Sequence, residues 1–289
     1  MSQSSKFRTL LAIRRKIVAP GAIDGITGRM IDQAGFAAAY MTGAGTAMTL
    51  GYPDYGLTTM TEMVANASRI VNSIDLPLIS DSDTGYGYEL NVFRTVQEFE
   101  RTGVAAIHIE DQVFPKKCGH LDDKELVSRE DYIAKIRAAS AARKSKDFCI
   151  IARTDARAVA GLDEAVERAN AALANGADVA FVEAPQTMAE IEAVPKRVKG
   201  PCLLNVVRGG KTPEIELETA ERMGYAIAIV PGLLLTGIMQ TCDKLLADLK
   251  QGKFPPGNSS PARGFARFGA ADWEARRTAF RDPIKAAAE

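Results

Sequence analysis

A closed (β/α)8 barrel of the TIM type is the fold this sequence predicts, and three features carry the prediction. Short apolar or β-branched runs alternate with longer helical stretches along the chain. Eight such runs can be counted. No repeat, low-complexity tract or Pro/Gly-rich linker divides them, so the 289 residues read as one domain, with 254–289 as a helical extension.

The units follow in order. Runs 16–19 and 37–42 open the series, the second leading into Thr42-Gly43-Ala44-Gly45. Thr59 with Glu62 forms a capping box ahead of a helix over 60–74. Strand runs 76–81 and 104–110 come next, and Ser128 caps a helix over 129–142 with Asp131 at its third position. Run 148–153 precedes a helix over 163–175 that ends at Gly176, a residue suited to a left-handed cap. After run 179–183, Thr187 and Glu190 repeat the capping box. Run 202–206 precedes Thr212-Pro213, which fits an N-cap with proline at the first helical position. Run 226–230 completes the eight, and helices over 233–249 and 271–280 close the pattern.

Composition narrows the function. Hydrophobic residues make up 46% and charged residues 25%, ample for one large core. Lys+Arg and Asp+Glu are both 36, which gives no electrostatic footprint for a nucleic acid or an anionic membrane. The segment 1–9 is polar and no apolar run approaches the roughly 20 residues of a membrane span. Cys118, Cys149, Cys202 and Cys242 lack C-x-x-C spacing, which suggests a cytoplasmic protein with reduced thiols, the last three as small buried hydrophobes. With only two histidines, zinc and Ser–His–Asp chemistry recede and oxygen-ligand chemistry rises.

In a barrel the C-terminal ends of strands line the active site. Asp81 and Asp83 lie two residues apart and therefore share a face, as do His108 and Glu110. Glu183 ends the sixth run and Asn205 the seventh. One exposed aspartate means little, but Asp81, Asp83, Glu110 and Glu183 at successive strand ends would crowd four carboxylates together. From the barrel wall only Arg153 offsets them. A divalent cation removes that repulsion, and such a donor set suits Mg²⁺. His108 reads equally as a core histidine or as support for Glu110. The Gly43-Ala44-Gly45 turn lacks the third glycine of a dinucleotide site, and its backbone N–H groups suit a carboxylate. Lys116-Lys117-Cys118-Gly119-His120-Leu121 reads as a surface loop whose basic neighbours favour a thiolate at Cys118.

The run Ile109-Glu110-Asp111-Gln112 through Lys117-Cys118-Gly119-His120 resembles the signature of the isocitrate lyase / phosphoenolpyruvate mutase superfamily. Within it, the methylisocitrate lyase and 2,3-dimethylmalate lyase branch is the nearest in kind. Asp81-Ser82-Asp83-Thr84-Gly85-Tyr86-Gly87, Ala152-Arg153-Thr154-Asp155-Ala156 and Val182-Glu183-Ala184-Pro185 match further blocks in order. The resemblance implies Mg²⁺, with Mn²⁺ as the alternative, organised by Asp81, Asp83 and Glu110. Thr42, Gly43, Ala44, Asp54, Lys116, Gly119, Arg153, Glu183 and Asn205 would contact substrate. Cys118, Tyr40, Arg153 and His120 would be the catalytic set. Residues 116–121 would be a gate bringing Cys118 over the substrate as acid, with Tyr40 or a metal-bound hydroxide as base. The implied reaction cleaves a 2-hydroxy di- or tricarboxylate to a 2-oxo acid and a carboxylate. The C-terminal helices would swap between subunits of a homotetramer.

Arg208 departs from the branch, whose members usually carry an acid there, and reads either as a partner for one more carboxylate or as a surface residue. A carboxyphosphonoenolpyruvate phosphonomutase or an oxaloacetate-processing enzyme of the same superfamily is the alternative. A non-catalytic dicarboxylate-binding barrel is the alternative of another class.

Overall fold

Strand-forming runs that alternate with capped helices fold into eight parallel strands, closed in chain order. The structure is a computed structural model that describes residues 1–13, 17–254 and 260–281. Its strands are β1 (Ile17–Ala22), β2 (Ala39–Met41), β3 (Leu78–Asp81), β4 (Ala106–Glu110), β5 (Cys149–Thr154), β6 (Val179–Val182), β7 (Cys202–Asn205) and β8 (Ile227–Val230). β8 pairs back onto β1, Ile17 opposite Ile227 and Pro20 opposite Val230, so the sheet has no free edge. Lys16, the first residue of run 16–19, lies outside the described residues.

Side chains alternate between two cores. Ile17, Ile79, Ile151, Phe181, Leu203 and Ile227 share one buried cluster, while Leu78, Ile107, Ile109 and Ile150 join helical residues in another. Phe7 enters the first cluster from a helix over Gln3–Ala12, which begins where Ser2 accepts from the Ser5 N–H. Its ring is fully buried against strand beginnings and contributes about 2 kcal/mol. That helix lies over the polar segment 1–9, to which the sequence pattern assigned no element. Helices Gly25–Gln33 and Glu89–Thr102 complete further β-then-α units.

Most expected caps are present. Thr59 and Glu62 cap each other at helix Met60–Val71, and Ser128 caps Arg129–Ala142. Gly176 has φ 108° just past helix Leu162–Ala174. Two differ. Thr187 caps helix Met188–Arg197, but the Glu190 carboxylate turns to Arg157 and the Gln186 N–H, so no reciprocal box forms. Thr212 starts no helix: the next begins at Leu217, because the Lys211 N–H is held by His120 Nδ1 and the chain turns there.

Two units are distinct, Met1–Gly237 and Ile238–Glu289. Helices Pro261–Ala266 and Ala270–Arg281 belong to the second, and neither buries a residue. Cys149 and Cys202 are buried as expected, whereas Cys242 is exposed, since its helix Leu233–Lys250 also buries none. Among the described residues no helix is long and apolar enough to cross a membrane.

Candidate active site

Parallel register brings the polar strand ends together. Asp81 pairs with His108 across β3 and β4, and Glu110 with Arg153 across β4 and β5. A cavity of about 150 Å³ opens at this end of the barrel. Tyr40, Thr42, Ala44, Asp54 and Asp81 line one part of it, and Arg153, Glu183 and Asn205 another. Cys118, Gly119 and His120 enter from the loop after β4, while Val207, Pro231, Gly232 and Leu235 make an apolar wall. Gly43, Asp83, Glu110 and Lys116 do not line the cavity but join its buried polar network. Arg208 is exposed beside a separate groove with Glu214 and Pro213, so it adds no cation here.

The carboxylates are buried and unequal. Burial opposes charge on Asp81, yet His108, Lys116 and Arg153 outweigh it and pull its pKa down to about 2. Burial pushes Asp83 up to about 6 against the pull of Lys116, with Asp81 adding to the rise. Glu110, 0% exposed, is pushed well above the carboxylate range by burial, against Arg153 and Lys116. Arg153 is therefore not the lone cation: Lys116 Nζ stands 2.6 Å from Asp54 Oδ1 and 2.8 Å from Asp83 Oδ1.

The glycine turn serves a protein carboxylate first. Gly43 N–H donates to Asp81 Oδ2 at 3.1 Å, and a Cβ on Gly43 would stand 2.3 Å from that oxygen. Thr42 Oγ1 accepts from the Gly45 N–H. His108 supports Tyr40 and Asp81 rather than Glu110: its Nε2 lies 2.8 Å from Tyr40 Oη and 3.4 Å from Asp81 Oδ1. Burial lowers the His108 pKa to about 4, so the ring is neutral. Tyr40 is driven well above 10.0 by burial and by Asp81, which favours the phenol, and its hydroxyl lies 3.4 Å from Asp81 Oδ2 as well as beside His108.

The loop from Val113 to Glu125 is a flap seated over the cavity. Its base is closed by the Gln112–Leu126 bridge and by the Val113 N–H on Glu125 O. Gln112 holds Lys117 by both backbone groups and donates to Glu110 Oε1. His120 Nε2 faces Glu183 Oε1 at 3.6 Å, while burial keeps the ring's pKa low. Gly119 packs so closely that a Cβ would stand 2.3 Å from Glu183 Oε1 and 2.5 Å from Arg153 Nη2. The expected solvent-facing basic loop is thus corrected: Lys116 is buried, Lys117 turns to Asp123 O, and Cys118 is half-buried. Burial pushes the Cys118 thiol above 9.0, despite the His120 N–H, so it is held as a thiol rather than a thiolate.

Several residues that matter were not singled out in the sequence. Asp155 grips Arg153 through Nε at 2.9 Å and Nη2 at 3.2 Å, and its backbone N–H donates to Asp111. Tyr86 is partly buried, its hydroxyl fully so and without a hydrogen-bond partner. Lys124, within the flap, has its side chain buried against Asp155. The first two stand inside blocks that carry the family resemblance, which was the available signal. Asp83, Tyr86 and Ala184 hold φ of 47°, 60° and 52°, a concentration of backbone strain at strand ends of the kind functional sites keep.

Known proteins resemble this chain in sequence and in fold. Residues 7–250 match the family described as phosphoenolpyruvate phosphomutase. The 2,3-dimethylmalate lyase of Eubacterium barkeri is 46% identical over 250 residues, 86% of this chain and 85% of that protein. The 2-methylisocitrate lyase of Aeropyrum pernix is 42% identical over 244 residues, 84% of this chain and 79% of its own. A structure of oxaloacetate acetylhydrolase in complex with the inhibitor 3,3-difluorooxalacetate superposes with TM-score 0.91 at 39% identity, covering 95% of this chain and 96% of that one.

Proposed function

Because this chain belongs to the phosphoenolpyruvate phosphomutase family, we propose that it is a Mg²⁺-dependent carbon–carbon lyase acting on a 2-hydroxy dicarboxylate. The observation that carries this reading is the half-buried thiol of Cys118 on a flap over a cavity walled by a guanidinium and buried carboxylates, where burial disfavours its ionisation. A non-catalytic binder has no use for a proton donor in that position.

The donor set fits the ion. Asp81, Asp83 and Glu110 offer only hard oxygens, and Glu110 Oε2 is buried without a hydrogen bond. Among the described residues no three His, Cys, Asp or Glu side chains close on one point. Mg²⁺, or Mn²⁺ in its stead, usually keeps several waters, so such closure is unnecessary. When bound, the ion would polarise the substrate's 2-hydroxyl and the neighbouring carboxylate.

The chain's own groups would do the rest. Arg153, fixed by Asp155, would orient a substrate carboxylate, with Thr42, Ala44 and Asp54 around the 2-oxo-acid half. Gly43 and Lys116 would act through Asp81 and Asp83. Glu183 and Asn205, joined at 3.1 Å, would face the departing half, with His120 behind Glu183. As the 2-hydroxyl gives its proton to Tyr40 Oη, whose own proton would pass to His108 Nε2 at 2.8 Å, the bond between C2 and C3 would break, C2 would be left as a carbonyl, and Cys118 would protonate the departing carbanion. Gly119 lets the flap seat closely enough for that transfer.

The apolar wall of Val207, Pro231 and Leu235 favours methyl groups over a third carboxylate, hence a 2-alkylmalate such as 2,3-dimethylmalate over 2-methylisocitrate. Incubation with 2,3-dimethylmalate, 2-methylisocitrate, oxaloacetate and carboxyphosphonoenolpyruvate tests this. Pyruvate release fastest from the first supports the reading; turnover confined to oxaloacetate or to the phosphonate overturns it.

The extension is proposed to pack on a neighbouring copy within a homotetramer. Phe265, Phe268 and Trp273 are exposed there, apolar area that an isolated chain would leave to water. Light scattering should give about four times the 31.0 kDa chain mass, and a monomer would reject the arrangement. A cytoplasmic setting would keep the thiols reduced.

A further inference from the structure

We propose that Lys124 is a positioning residue, the latch that holds the Cys118 flap down on the barrel. Its side chain is 1% exposed, unusual for a lysine on a loop. Its Nζ donates to the Gly119 carbonyl, at the tip of the flap, and lies 3.2 Å from Asp155 Oδ1, at the end of β5. One ammonium therefore ties the residue after Cys118 to the carboxylate that grips Arg153. The same guanidinium reaches Glu110 at 3.2 Å and Glu183 at 3.5 Å, so the latch fastens the flap to the cluster it covers.

The other flap contacts do not substitute for it. Lys116 ties an earlier residue to Asp54 and Asp83. His120 takes the Lys211 N–H, and Lys211 Nζ reaches the Leu121 carbonyl and Asp122, so the loop after β7 holds the residues beyond the tip but not the tip itself. Only Lys124 takes up the Gly119 carbonyl among the described residues, and Gly119 is the point of closest approach to Arg153 and Glu183. If the tip lifts, that carbonyl leaves the ammonium, while Asp155 keeps Arg153. Loss of the latch should thus loosen the flap without dismantling the barrel.

The catalytic half of this inference rests on the lyase reading, but the structural half does not, and the experiment separates them. In full-length protein, iodoacetamide labelling of Cys118 is timed by peptide mass spectrometry, which resolves it from exposed Cys242. Lys124→Met should label about tenfold faster at an unchanged melting temperature. Turnover of 2,3-dimethylmalate should fall by up to about 10²-fold in kcat, with a smaller change in KM, as for a misplaced catalytic group. Lys124→Arg, which keeps a cation, should recover part of both, as mere surface reshaping would not. Lys124→Gln, an uncharged donor, should fall between them and gives the reading if the methionine variant does not fold. An unchanged labelling rate in folded Lys124→Met or Lys124→Gln overturns the latch, whatever the activity. Faster labelling in a protein that turns over no 2-hydroxy acid upholds the latch and removes the lyase reading alone.

Discussion

Replacing Cys118 by serine is expected to cut turnover by at least about 10²-fold, the loss that follows removal of a positioned acid. The hydroxyl fits the half-buried position, so folding should be unchanged, but its proton is far less acidic than a thiol's. The direction of the pKa shift adds a second signature. A donor works only while protonated, and burial moves the thiol's loss of its proton above the ordinary 9.0. Activity governed by Cys118 should therefore persist across neutral pH and decline only above about pH 9. Rate profiles of both proteins check this: the wild-type decline should vanish from the serine variant's residual activity. Wild-type rates in Cys118→Ser would remove the flap from the chemistry.

The second large effect concerns the metal. Chelation by EDTA, or Asp83→Asn, should lower turnover by at least about 10³-fold, the scale of several kcal/mol of lost charge stabilisation. Asparagine is the appropriate test because Asp83 holds φ 47°, a conformation that asparagine tolerates better than most residues. A readout independent of activity accompanies it. An ion that binds only the folded state raises the melting temperature by mass action, so MgCl₂ should stabilise the wild type and have little effect on the variant. Activity indifferent to EDTA, together with a melting temperature indifferent to Mg²⁺, would contradict the proposed site.

Strands were the legible part of this fold, because buried parallel strands are written as apolar runs and their count selects the architecture. Helix Gln3–Ala12 escaped notice because its segment is largely polar, with Phe7 alone among its apolar residues fully buried and Leu10 and Leu11 packing at the edge of the same cluster. Thr212-Pro213 misled because the bond from Lys211 to His120, 91 residues away in sequence, decides the turn. The acids were legible by period, since residues two apart on a strand share a face. The electrostatics of Cys118 were not. Neighbouring lysines looked like a positive field, whereas the folded chain spends Lys116 on Asp54 and Asp83 and turns Lys117 to Asp123 O. Which charge answers which is settled by three-dimensional pairing, and sequence proximity does not reveal it.

Phe7, buried in the cluster of residues at the strand beginnings, belongs to the packed floor of the barrel, at the end opposite the cavity. For the proposed lyase, reactant and both fragments would share the rim where Gly119 and His120 rest.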